Sequence, residues 1–125
     1  MLFRSSGTYV SLSTGSSFAA SSRWIASYGY SAGGWTSQDK YPRTLADVNG
    51  DGKADIVGFF ANRVYLSFST GSSFAAPVLG IANLAPTGGW LSQDKTPRTV
   101  GDVSGGGKAD IVGFAASGVY VALAN

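Results

Sequence analysis

The chain has 125 residues with 18 glycines and 18 serines, yet 44% of it is apolar and 13% aromatic, the composition of a folded, strand-rich domain and not of a linker. Nine Lys and Arg against seven Asp, with no Glu, leave a net charge of +2, too small to imply a nucleic-acid partner. Without His or Cys, the Ser/His/Asp and Cys/His nucleophile systems, His or Cys zinc sites and disulfides are excluded; no segment reaches the ~20 apolar residues of a membrane span, and no signal peptide is visible, which leaves localisation open.

Self-similarity dominates the sequence. Residues 3–10 match 114–121 at an offset of 111 in 5 of 8 positions, and residues 9–20 match 65–76 at an offset of 56 in 10 of 12. Residues 33–65 match 88–120 at an offset of 55 in 24 of 33 positions. A fixed period of this length marks a repeat architecture. The chain holds two full units plus an overlap and opens in mid-unit, which reads as a fragment or as a permuted or engineered chain.

Within one unit four strands are predicted. Residues 44–48 form the first and end at the turn Asn49, Gly50, Asp51, Gly52, whose residues tolerate positive φ. Residues 54–60 carry Ile56, Val57 and Phe59 and read as a strand buried on both faces. Residues 63–69 alternate Val64, Leu66 and Phe68 with Tyr65 and Ser67, the period of a half-buried strand. A turn over 70–73 leads into the fourth, 74–81. No segment shows a helical apolar period. The unit is therefore a four-stranded antiparallel sheet, and repeats of this kind are propeller blades.

The fold class expected is all-β, with about two β-propeller blades per chain. Residues 1–32 are the last strands of a blade and a loop, 33–87 a full repeat, and 88–125 the first strands of a blade. Repeat units need roughly three or more neighbours to cover their apolar faces. The chain is thus expected to close a ring by homo-oligomerisation, most simply as a trimer, with residues 88–125 completed by the N-terminal segment of another copy. The second copy of the strand bearing Tyr9 or Tyr120 has no place in that count.

The block DVNGDGKADIVGF at 47–59 resembles the FG-GAP or integrin-α-like repeat. The flanking text, GGWTSQDKYPRTLA before it and VYLSFSTGSSF after it, is similar to the blade of the Psathyrella velutina lectin family. That resemblance covers essentially the whole chain. It implies a propeller of seven such blades in one chain, with pockets between adjacent blades for N-acetylglucosamine and sialic acid, and it supports a metal at the acidic turn.

Two sets of residues carry candidate chemistry. Asp47, Asn49, Asp51 and Asp55, with the carbonyl of Lys53, can fold oxygen ligands around one hard cation, and calcium suits them. The bland alternative is that these side chains make the hydrogen bonds of a turn. In the second copy Ser104 and Gly106 replace Asn49 and Asp51, so calcium is expected at the first turn only. The sugar-site candidates are Gly33, Gly34 and Trp35 with Gln38, Asp39 and Lys40, repeated as Gly88, Gly89, Trp90, Gln93, Asp94 and Lys95. The glycines admit a ligand to the backbone, the indole offers an apolar wall, and the polar trio can bond hydroxyls. Alternatively each Trp packs one blade on the next. Arg43 and Arg98 either bridge to an Asp or face a carboxylate-bearing sugar. Tyr9, Tyr65 and Tyr120 read as blade packing, while Arg23 and Trp24 have no counterpart in the second copy.

Three functions compete. A multivalent lectin for glycans uses weak repeated pockets whose number gives avidity. An integrin-like scaffold, calcium-stabilised, binds a protein and no monosaccharide. A glycan-cleaving enzyme requires paired carboxylates or a sialidase set that includes Glu, and the absence of Glu argues against it. The lectin reading leads.

Overall fold

In the computed structural model, which describes residues 2–4, 6–61, 63–81, 84 and 89–124, the chain is all β and its sheets are antiparallel. It divides into two compact units, Met1–Thr36 and Ser37–Asn125. Among the described residues no helix is long and apolar enough to cross a membrane.

The first unit is a three-stranded sheet, β1 (Leu2–Arg4), β2 (Gly7–Val10) and β3 (Ser22–Ile25), in the order β1-β2-β3. The β2–β3 register slips between Thr8 and Tyr9. Gly7 sits at a φ of 147°, where a Cβ would run into the carbonyl oxygen of Ile25, so no larger residue fits the slip. Thr8 is fully buried, and its hydroxyl donates to the Ser27 carbonyl at 3.2 Å.

The second unit contains the complete blade: β4 (Arg43–Ala46), β5 (Asp55–Phe59), β6 (Val64–Ser67) and β7 (Val78–Leu79), ordered β4-β5-β6-β7. A second sheet holds β8 (Arg98–Gly101), β9 (Asp110–Ala115) and β10 (Gly118–Ala122), ordered β10-β9-β8. The repeat is exact in register: Arg43 pairs with Gly58 as Arg98 pairs with Gly113, and Ala46 with Asp55 as Gly101 with Asp110. All five residues of β5 are buried, as an apolar run flanked by two strands requires. The fourth strand is much shorter than predicted. Phe74 meets Ser69 only in an isolated bridge, and Pro77, which has no N–H to donate, precedes the two-residue ladder of β7.

The core lies between these two sheets. Val57, Phe59, Val64, Leu84 and Trp90 form its buried centre, with Val100, Ile111 and Ala122 packed against it. Face-to-face packing of neighbouring blades is thus visible inside the second unit. Truncating Phe59 to Ala should cost about 3–5 kcal/mol of unfolding free energy in a denaturant titration. The same truncation at Leu45, which is 37% exposed, should cost less than about 1 kcal/mol.

Candidate ligand site

Both acidic turns are built by one carboxylate that gathers backbone N–H groups. In the first, Asp47 Oδ1 accepts from Gly50 (2.7 Å) and Asp51 (3.2 Å), and Oδ2 from Gly52 (2.8 Å). In the second, Asp102 accepts from Gly105 (2.8 Å), Gly106 (3.1 Å) and Gly107 (2.9 Å). Asp55 ties the first turn to its sheet through the N–H groups of Val48 and Ser69, and Asp110 repeats this through Val103 and Ala124. The second turn keeps this fold with Gly106 in place of Asp51, so turn closure requires the two aspartates common to both copies and not Asp51.

The donors of the first turn nevertheless suit a hard cation. Carboxylate oxygens of Asp47, Asp51 and Asp55 all lie within 4.8 Å of one another. Asn49 Oδ1 accepts from the Asp51 N–H at 3.2 Å and Asp51 Oδ1 from the Lys53 N–H at 2.9 Å, while Lys53 Nζ stands 3.8 Å from Asp51 Oδ2. A carboxylate oxygen that accepts one N–H retains a second lone pair for a metal.

The GGW loops position their indoles inward. Trp35 is 6% exposed and tilts against Tyr28, with ring centroids 5.1 Å apart. A Cβ on Gly33 would lie 3.0 Å from Trp35 Nε1, so the space that glycine leaves is taken by the loop's own indole. Trp90 is equally buried and meets the Tyr120 ring edge-on at 6.3 Å. It lies 2.6 Å from where a Cβ on Gly113 would stand, which is why β9 carries glycine there. Nothing lies within 4 Å of the corresponding position on Gly89, and Gly88 falls outside the described residues.

The polar trio divides its labour. Gln38 donates to the Arg43 carbonyl (2.9 Å) and accepts from the Arg43 N–H (3.1 Å) and Nε (3.0 Å); Gln93 donates to the Arg98 carbonyl (2.5 Å) and accepts from its N–H (2.9 Å). Each glutamine therefore clasps the start of a strand. Asp39 joins the two copies: its carbonyl accepts from the Gln93 N–H at 2.6 Å, and its Oδ1 from the Asp94 N–H at 2.9 Å. The backbones of Lys40 and Lys95 donate to Ser37 and Ser92 Oγ, which closes each loop. Lys40 Nζ lies 5.4 Å from the centre of the Tyr41 ring. Asp94 and Lys95 themselves are exposed.

Arg98 breaks the symmetry between the copies. Arg43 is half-buried and spends its Nε on Gln38, whereas Arg98 is 2% exposed. Arg98 Nη1 donates to the Leu84 carbonyl at 3.0 Å and its guanidinium lies 5.2 Å from the centre of the Phe59 ring, but among the described residues Nε and Nη2 have no hydrogen-bond partner. Burial pulls its pKa down to about 10, partly opposed by the charge of Asp39, so it remains a cation at neutral pH. Buried donors without acceptors are costly and are commonly completed by a ligand or water. Nε and Nη2 form a planar pair of donors beside the Leu84 carbonyl and the Phe59 ring, a geometry that carbonyl, hydroxyl or carboxylate oxygens match.

Two further residues were not legible in the sequence. Tyr28 and Leu84, equivalent at the offset of 56, both adopt left-handed backbone (φ of 63° and 57°) and are buried at 1% and 3% exposure. Non-glycine residues in this region cost about 1–3 kcal/mol and persist where the surroundings over-determine them. Here each turns the chain so that its side chain packs beneath the loop tryptophan, and Leu84 also presents its carbonyl to Arg98. Only the equivalence of their positions hinted at a shared role; a tyrosine and a leucine share no turn signal.

A groove of about 450 Å³ runs between the same two sheets, lined by Val57, Val64, Leu79, Ile111 and Ala122 with Asn49 and Lys108 as polar members. Its walls are mainly aliphatic, whereas the Arg98 fork supplies directional donors.

No family model matches the chain, and no curated protein does. Among solved structures, it is similar to a lectin from Agrocybe aegerita whose structure explains specific recognition of non-reducing terminal N-acetylglucosamine, at 38% identity and a TM-score of 0.90. The match covers 98% of this chain and 31% of that one, so the chain spans less than a third of the lectin's length.

The turns carry a pH signature. Asp47 is held below the ordinary carboxylate range, first by the Gly52 N–H and then by its other backbone donors, and Asp110 first by the Ala124 N–H. A depressed carboxyl stabilises the fold fully above its unfolded pKa of about 3.9, and the stabilisation is lost as pH falls through the lower folded value. Thermal unfolding should therefore show a midpoint that is steady above about pH 5 and declines below about pH 4. Asp47→Asn should lower the neutral-pH midpoint and flatten that decline.

Proposed function

We propose that the chain is a carbohydrate-binding lectin domain that recognises glycans ending in N-acetylglucosamine, of the kind found in the Psathyrella velutina lectin family. The observation that carries this reading is the 38% identity over 98% of the chain to a lectin with that recognition. The Arg98 fork supports it. Its Nε and Nη2 are the unspent donors of the second unit that acceptor oxygens of the sugar, such as the acetamide carbonyl, would satisfy. Such sites are individually weak, and repetition supplies avidity.

A glycan array followed by calorimetric titration with N-acetylglucosamine tests the reading. Wild-type protein should bind glycans with that terminus, and Arg98→Met, which removes the donors while keeping apolar bulk, should weaken binding about tenfold or more with the circular dichroism unchanged. Silence across the array, or an Arg98→Met variant that binds like wild type, counts against it.

Calcium belongs to the same proposal as a strut held by Asp47, Asn49, Asp51, Asp55 and the Lys53 carbonyl, at the first turn alone. Added calcium should raise the unfolding midpoint of the wild type. It should leave Asp51→Gly unmoved, and that variant should still fold because Gly106 is tolerated at the equivalent place.

A further inference from the structure

The same eight residues, STGSSFAA, occur at 13–20 and 69–76 and fold alike. Ser13 bridges Phe18 as Ser69 bridges Phe74. The Thr14 N–H donates to the Ser17 carbonyl at 2.9 Å as the Thr70 N–H does to that of Ser73. Their surroundings differ sharply. Phe74 is 8% exposed and Phe18 is 71% exposed. A Cβ on Gly71 would stand 3.5 Å from Lys53 Cε, while nothing lies within 4 Å of the corresponding point on Gly15. The second turn rests beside the acidic turn of its own blade, whose Asp55 also accepts the Ser69 N–H. The first sheet has no acidic turn among its described residues.

The third sheet shows the converse. It possesses an acidic turn, and Asp110 accepts the Ala124 N–H at 2.8 Å as Asp55 accepts that of Ser69. Among the described residues its edge strand β10 has no fourth strand beside it, and Val119, Tyr120, Val121 and Leu123 are each more than half exposed. One sheet therefore has the turn and fourth strand of a blade, and the other has the surface that receives them.

We propose that β3 and the 13–18 turn exchange between copies of this chain, leaving β2 and pairing with β10 of a second copy to complete a four-stranded blade. Sequence makes the exchange nearly even. β2 reads Gly7, Thr8, Tyr9, Val10 and β10 reads Gly118, Val119, Tyr120, Val121. The Tyr9–Arg23 and Val10–Ser22 pairs, which reproduce Tyr65–Leu79 and Leu66–Val78, become Tyr120–Arg23 and Val121–Ser22. The edge closed on β10 is matched by the edge opened on β2, so the surplus comes from covering Phe18 on the partner's acidic turn and from placing apolar Val119 where Thr8 sits now. Exchange of an identical element is a familiar route to assembly, and here the duplicated strand itself creates the choice. The surplus copy of that strand, left over when blades are counted from the repeat, is the hairpin β1–β2 that the exchange releases.

Mass measured by light scattering across a concentration series tests this. The wild type should pass from 12.8 kDa toward multiples of it. Phe18→Ser should raise the dissociation constant ~10-fold or more, with an unchanged circular dichroism spectrum because the residue is exposed in the single chain. The chain has no cysteine, so Arg23→Cys and Tyr120→Cys chains, mixed and oxidised, should form a disulfide between copies. Arg23→Cys mixed with Leu91→Cys should not. A wild type that stays at 12.8 kDa, a Phe18→Ser variant that associates equally well, or equal cross-linking in both mixtures overturns the exchange.

Discussion

One aspartate oxygen pair closing a loop over several N–H groups is the constraint on which the blade depends. The connection between the first two strands of a blade must reverse direction while leaving a run of amides pointing inward, and Asp47 and Asp102 collect those amides. Asp55 and Asp110 then fasten each turn to the end of the third strand. With strands this short, these carboxylates supply what a longer ladder would otherwise provide. Glycines at φ near 80°, Gly50, Gly52, Gly105 and Gly107, make the bend possible without a left-handed penalty.

From this constraint follows the packing of one sheet on the next. Fixing the turn fixes the register of β4 on β5 and of β8 on β9, which puts Val57 and Phe59 on the inner face opposite Val100 and Ile111. The glycine at 113 in the register-locked strand then leaves the slot into which Trp90 is inserted, and Leu84 fills the remainder. Arg98, the first residue of β8, is carried into the same layer. The candidate site is therefore a by-product of inter-blade packing, with the charged group arriving at a place the core would otherwise leave apolar.

Much of this was legible in the sequence. The repeat, the first three strands of the blade, the buried run at 55–59 and the acidic turns stand where periodicity and turn chemistry place them, whereas the fourth strand shrinks to Val78–Leu79. What sequence could not resolve were outcomes that depend on who stands beside whom. Gln38 and Gln93 read as ligand donors but face strand starts, a role that no local pattern signals. Arg43 and Arg98 occupy identical text, yet only Arg98 is deeply buried. Leu84 and Tyr28 take left-handed backbone without any residue type that favours it.

The two copies of the unit act as matched controls on one another, and they separate local from non-local causes. Where both copies behave alike, as in the acidic turns or the glutamine clasps, the cause lies within the repeated text. Where they differ, as between Phe18 and Phe74, the text is identical and the cause must be the neighbouring surface. An exposed phenylalanine in a turn that elsewhere buries it is consequently a statement about a missing surface and not about the turn. The third sheet has an acidic turn already folded and an edge strand of the right sequence, so the proposed exchange between copies rests on the same physics that builds the complete blade within one chain.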